Sequence, residues 1–152
     1  MSSSPWGQID HVEKVFCGVS FVSTPSHGGL RISRSWAEKN LTKEALAEAS
    51  DWDNNYFWYE EDCDWAIPVF EHPEIDLKNV ESAKKTLSCS HIPYLYKRDL
   101  WDLIDVEFLK REIERNSRYA KDYEPYTNNW NRMVERNTLY NEILEELQLE
   151  ED

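Results

Sequence analysis

Residues 51 to 76 constrain this chain more than any other stretch. They hold nine acids (Asp51, Asp53, Glu60, Glu61, Asp62, Asp64, Glu71, Glu74 and Asp76) and no Lys or Arg. The same window carries Trp52, Tyr56, Phe57, Trp58, Tyr59, Trp65 and Phe70. A solvated acidic linker has no use for so many rings, each of which buries a large apolar area on folding. The window is therefore folded as well as acidic. Within it, Trp65 to Phe70 reads as a strand, confined to an edge or a bulge because Pro68 has no amide hydrogen to donate.

The flanking segments place this window in an α+β chain. Residues 9 to 33 alternate, with Ile9, Val12, Val15 and Phe16, then Val19, Phe21 and Val22, then Leu30 and Ile32. Gly18 and the run Pro25-Ser26-His27-Gly28-Gly29 supply the turns, so three short strands in an antiparallel meander are expected. Short helices follow over Ser35 to Asn40 and, with Thr42 as N-cap, over Lys43 to Ala49. A further helix opens near Pro73 or Asp76, with Leu77, Val80, Ala83 and Leu87 at helical spacing, and stops near Ser90. From Asp99 onward Trp101, Ile104, Phe108 and Ile113 mark one helical face. A break near Pro125 precedes a second helix with Trp130, Met133, Val134, Leu144 and Leu147, and the two are expected to lie antiparallel. The expected fold is a small antiparallel sheet packed by helices in the N-terminal half, followed by a helical hairpin. At 152 residues the chain reads as one domain, with an α+β portion over 1 to 98 and a helical portion over 99 to 152.

Charge narrows the partners. The net charge is −13, which opposes direct binding to nucleic acid or to an anionic membrane. The excess sits in two places, since residues 51 to 80 and 101 to 152 hold most of the unbalanced acids. In the second, Glu142, Glu146 and Glu150 recur every four residues and would stand ~6 Å apart along one helix face. Acids near a helix C-terminus oppose its dipole, so helix stability does not ask for them. No apolar run approaches the ~20 residues of a membrane-spanning helix. Residues 1 to 10 show neither a basic nor an apolar leader segment, and the cytoplasm is the expected compartment.

Catalytic chemistry has only weak candidates. Cys63 with His27 would need the two to meet, and the Gly28 and Gly29 amides would then serve as oxyanion donors. The Glu60 to Asp64 cluster offers carboxylates for acid–base work or for a hard cation, although five consecutive side chains point to different sides. Cys63, Cys89, His72 and His91 lack a usual zinc spacing, and the three cysteines, Cys17 included, form no disulfide framework. No catalytic residue, metal or cofactor is assigned on this basis. A phosphate pocket would have to draw on Arg31, Arg34, Lys84, Lys85, Lys97 or Arg98.

Three strings carry a resemblance: Ser4-Pro5-Trp6-Gly7, Ser26-His27-Gly28-Gly29, and Trp58-Tyr59-Glu60-Glu61-Asp62-Cys63-Asp64-Trp65-Ala66. Over about residues 4 to 90 they resemble a domain of unknown function from phages, plasmids and related bacterial elements. That resemblance implies no reaction. It implies a genomic setting in which small acidic proteins inhibit host defence, as an analogy. The expected function is inhibition of a bacterial defence nuclease, a CRISPR effector or restriction enzyme, by protein contact in the host cytoplasm. Acidic patches would occupy the groove that otherwise holds nucleic acid. The expected contact residues are Trp58, Glu60, Glu61, Asp62, Asp64 and Glu71, together with Glu142, Glu146 and Glu150. The alternatives are a small enzyme built on His27 with Cys63 or the Glu60–Asp64 cluster, and a protein that sequesters a nucleotide signal.

Overall fold

A computed structural model describes residues 2 to 151, with side chains described as far as residue 149. The chain is α+β and divides into two compact units, Met1–Ser90 and His91–Asp152. The division falls eight residues before the 98/99 boundary read from the pattern.

In the first unit a two-stranded hairpin, β1 (Ser3–Ser4) and β2 (Gly7–Gln8), precedes a four-stranded antiparallel sheet in the order β3-β4-β5-β6. Its strands are β3 (His11–Phe16), β4 (Val19–Ser23), β5 (Gly28–Ser33) and β6 (Tyr56–Glu60). The first three are the meander expected from the alternation. The fourth was not expected, and its burial explains why. Phe57, Trp58 and Tyr59 are all buried, because both faces of β6 are covered. A strand enclosed on both sides shows no alternation to read.

One sheet face carries Val19, Leu30, Ile32, Phe57 and Tyr59 toward the helices. The Tyr59 hydroxyl donates to the Ala45 carbonyl at 2.7 Å, tying β6 to α2. Helix α1 spans Arg34–Asn40 and α2 spans Lys43–Glu48. Thr42 caps α2 as expected, its Oγ1 accepting the Ala45 amide at 3.1 Å. The pairing of β3 with β4 shifts register between Lys14 and Phe16. Such a bulge re-aims side chains. Here Phe16 packs edge-on against Trp36, 6.0 Å between centroids, and lies 5.3 Å from the His72 ring.

The expected strand over Trp65 to Phe70 is instead helix α3 (Ala66–Glu71). Pro68 falls in its first turn, where the missing amide has no intrahelical acceptor to lose. Two 3-10 turns, Pro73–Ile75 and Leu77–Asn79, lead into α4 (Val80–Ser90), which buries Ala83 and Leu87.

The second unit begins with α5 (Ile92–Lys97), a helix too short to show a period, then a 3-10 turn at Trp101–Leu103. The expected hairpin follows as α6 (Val106–Ala120) and α7 (Asn128–Glu151). Asp105 caps α6 by accepting the Phe108 amide at 2.9 Å. Leu109 and Ile143 are fully buried. Asn137 on α7 donates to the Ile113 carbonyl and to Ser117 Oγ on α6, both at 3.0 Å, which pins the register of the pair.

Candidate functional site

The three strings meet where β5 pairs with β6. Gly29 pairs with Glu60 and Leu30 with Tyr59 across β5 and β6. The Trp6 indole lies over Gly29 and meets the Trp58 ring edge-on, 5.8 Å between centroids. A Cβ at Gly29 would come within 2.6 Å of Trp6 Cη2 and closer still to the Tyr59 carbonyl oxygen, so only glycine fits there. Thr24 Oγ1 bonds the His27 carbonyl at 2.8 Å, and the Glu61 amide donates to the Gly28 carbonyl at 2.9 Å. Together the strings seat the β1–β2 hairpin on the sheet, which is an architectural role.

Trp58 belongs to that seat and not to the surface. It is 1% exposed, ringed by Trp6, Trp52 and Tyr56 with centroids 5.7–6.0 Å away. The exposed aromatic anchor expected at this position is spent on the core. Trp52, by contrast, is 48% exposed.

The acidic turn after β6 is built by its first carboxylate. Glu60 Oε2 accepts the Asp62 amide at 2.7 Å, and Oε1 accepts those of Cys63 and Asp64 at 2.5 and 2.9 Å. The Glu60 carbonyl takes the Trp65 amide at 2.9 Å. One side chain therefore satisfies three successive donors just ahead of α3, where donors otherwise go unpaired. The turn has a fixed shape, and on it Glu61 and Asp62 are exposed while Asp64 is half-buried. Glu71, at the end of α3, is similarly engaged. Its carboxylate accepts the Thr42 amide at 2.8 Å and the Thr42 hydroxyl at 2.6 Å, holding α3 to the start of α2.

Beside this turn lies a groove of about 530 Å³ between the sheet and α3. Val15, Phe21, Leu30, Trp65, Val69 and Ile75 supply its apolar lining, and Glu13, Glu61 and Asp76 its charge. Sequence reasoning did not place Glu13 or Asp76 here. The signal available was the alternation that puts Glu13 on the face of β3 carrying Val15 and opposite Phe21 on β4.

No hydrogen bond joins the catalytic candidates Cys63 and His27, although the Glu61 amide and the Gly28 carbonyl bring their segments together. Burial pushes the Cys63 thiol up from its ordinary value of 9.0, and the carboxylates of Glu60, Asp64 and Asp62 push the same way, against a hydrogen bond with Ser90. An activated thiol needs the opposite surroundings, a nearby cation or a helix N-terminus. His27 is exposed on the β4–β5 turn. Among the described residues no three His, Cys, Asp or Glu side chains gather as metal ligands.

Several basic residues of the first unit have partners of their own. Arg34 bonds Asp51 and the Asp53 and Asn54 carbonyls, with its guanidinium 4.2 Å above the Phe57 ring. Arg31 lies 4.6 Å above the Tyr56 ring, and Lys84 pairs with Glu81 at 3.3 Å. In the second unit Arg98 donates to the Tyr94 hydroxyl at 3.1 Å.

The second acidic region is the row on α7. Glu142 and Glu146 are exposed, and Glu146 accepts a hydrogen bond from the Tyr96 hydroxyl at 2.7 Å. That bond, with the charges of Glu146, Glu142 and Asp99, raises the Tyr96 hydroxyl above its ordinary value. The Glu150 side chain lies outside the described residues.

No helix among the described residues is long and apolar enough to cross a membrane. No curated protein and no solved structure matches the chain. A family model matches residues 1–124, so the likeness is wider than the 4 to 90 read from the strings, running through α6 and ending before α7. The chain belongs to that family, DUF7007, a domain of unknown function.

Proposed function

We propose that this protein is a non-catalytic inhibitor of a bacterial defence nuclease, of the CRISPR-effector or restriction type, carried by a phage or other mobile element. It acts by protein contact, presenting carboxylates to the cations that otherwise neutralise phosphates in a nucleic-acid groove. The observation that supports this reading best is the turn clamped by Glu60. A carboxylate fixed to three amides holds Glu61 and Asp62 outward on a rigid support. A backbone held in place before contact loses little conformational entropy on binding, and electrostatic complementarity speeds encounter.

The test is addition of the purified protein to a panel of defence nuclease complexes, reading DNA binding and cleavage against salt. Inhibition that weakens as salt rises is expected, because the attraction is screened over about 8–10 Å at physiological ionic strength. Asp62→Lys should impair it while leaving the melting temperature unchanged. Failure to affect any complex in a broad panel would sink the proposal.

A further inference from the structure

The groove between the sheet and α3 has a composition that specifies an occupant. Its lining is apolar along Val15, Phe21, Leu30, Trp65, Val69 and Ile75, its charged members are the three acids Glu13, Glu61 and Asp76, and among the described residues no Lys, Arg or His lines it. An uncharged apolar ligand would desolvate those carboxylates with nothing in return, which is costly. A hydrated ammonium would leave the apolar lining unused. A guanidinium on an aliphatic stem answers both needs: it is weakly hydrated, it stacks on aromatic faces, and it donates in a planar fork to carboxylates.

Two further features bear on how such a side chain arrives. The groove borders β3, the outer strand of the sheet, along which no other described strand is paired. Val15 on that strand is 39% exposed. The bulge at Lys14/Phe16 turns Phe16 onto Trp36 and His72 and leaves Val15 lining the groove. Asp76 is itself oriented, its Oδ2 accepting the Asn79 amide group at 2.7 Å.

We propose that this groove binds an arginine side chain of a partner protein, carried on a segment with apolar neighbours. The stem lies along Phe21 and Val69, and the guanidinium reaches Trp65 and the Glu13, Glu61 and Asp76 carboxylates. The proposal rests on the reading of this chain as a protein-binding inhibitor. It deepens that reading by naming the partner chemistry: the acids act together with a shaped apolar slot and select arginine over lysine.

The test uses the full chain and a defined probe, the peptide N-acetyl-Leu-Arg-Leu-amide, against the same peptide with citrulline or lysine in place of arginine. Titration followed by NMR should shift the Trp65 indole resonance and the Val15, Leu30 and Val69 methyls saturably. Citrulline, which keeps the shape and removes the charge, should bind at least about tenfold more weakly, equivalent to about 1.4 kcal/mol. Lysine should fall between them. The double variant Glu13→Gln, Asp76→Asn should lose binding by a similar factor with an unchanged melting temperature, and Glu13→Gln alone serves should the double variant fold poorly. Glu107→Gln, exposed on α6 and outside the groove lining, should keep peptide binding within about twofold.

Equal binding of the citrulline peptide would reassign the groove to an uncharged segment. Concentration-dependent shifts of the same methyls without peptide would reassign it to a second copy of the chain. Either result overturns the proposal, as does an absence of shifts at Trp65. Peptide binding by a protein that inhibits no nuclease would retain the groove and remove the nuclease. Inhibition without peptide binding would do the reverse.

Discussion

The acids of the first unit and those of α7 look alike in composition and differ in employment. Between β6 and α3, Glu60 and Glu71 turn their carboxylates inward to backbone amides and a hydroxyl, and the fold depends on them. Along α7, Glu142 and Glu146 stand exposed, and the bond to Tyr96 is made at the surface. A negative charge count therefore mixes two populations, one that shapes the chain and one that is displayed. Displayed acids, such as Glu61 and Asp62 in the first unit and Glu142 and Glu146 in the second, are available to a partner without a structural penalty.

Substitutions should separate the two populations sharply. The largest effect is expected at the seat of the hairpin, where Gly29→Ala drives a methyl into Trp6 and the Tyr59 carbonyl and should cost about 3 kcal/mol or more in urea unfolding. Next, Glu60→Ala leaves three amides without their acceptor and should cost about 2–3 kcal/mol, with Glu60→Gln milder because one oxygen remains. If Glu60→Ala proves as harmless as Glu142→Ala, the distinction between shaping and displayed acids fails.

Alkaline titration sharpens the comparison by another route. Cys63 and Tyr140 both resist ionisation in the folded chain, chiefly through burial. Each unfolded group loses its proton first, so stability should be intact below the ordinary values of 9.0 and 10.0 and should fall as pH rises past them. A urea midpoint that stays flat through this range would show that neither group is buried as described. The smallest effect is expected for Tyr96→Phe, which removes a surface hydrogen bond to Glu146 and should leave the urea midpoint essentially unchanged.

What could be read from the residues follows from what each element leaves visible. The meander was legible because turn chemistry at Gly18 and Pro25–Gly29 brackets three runs, and α2 because Thr42 is a good cap with a helix former at every following position. The hairpin of α6 and α7 was legible from its apolar period. β6 was not, since rings on both of its faces erase the alternation. α3 was mistaken for a strand because Val69 and Phe70 favour strands. The deciding interaction, Glu60 wrapping the amides of 62 to 64, is a side chain reaching several residues ahead, which no period records. For the candidate site the sequence showed which acids are concentrated and not which are spent. It marked Glu60 and Glu71 alongside Asp62, and it passed over Glu13 and Asp76, whose place in the groove depends on the pairing of β3 and on the turns after α3.

The Trp6–Trp58 contact also orders events in time. The strands β3, β4 and β5 are joined by tight turns, so they can zip together as neighbours, whereas β6 must wait for α1 and α2 to be spanned. Trp6 meets its partner ring only across about fifty residues of chain, a closure whose entropy has to be met before any contact rewards it. The Trp6–Trp58 contact is thus of higher sequence separation than the Trp6–Gly29 contact beside it. Without the hairpin, Gly29 and Trp58 lose the Trp6 ring that covers them, which leaves an apolar patch on one sheet face of the kind through which partly folded chains aggregate.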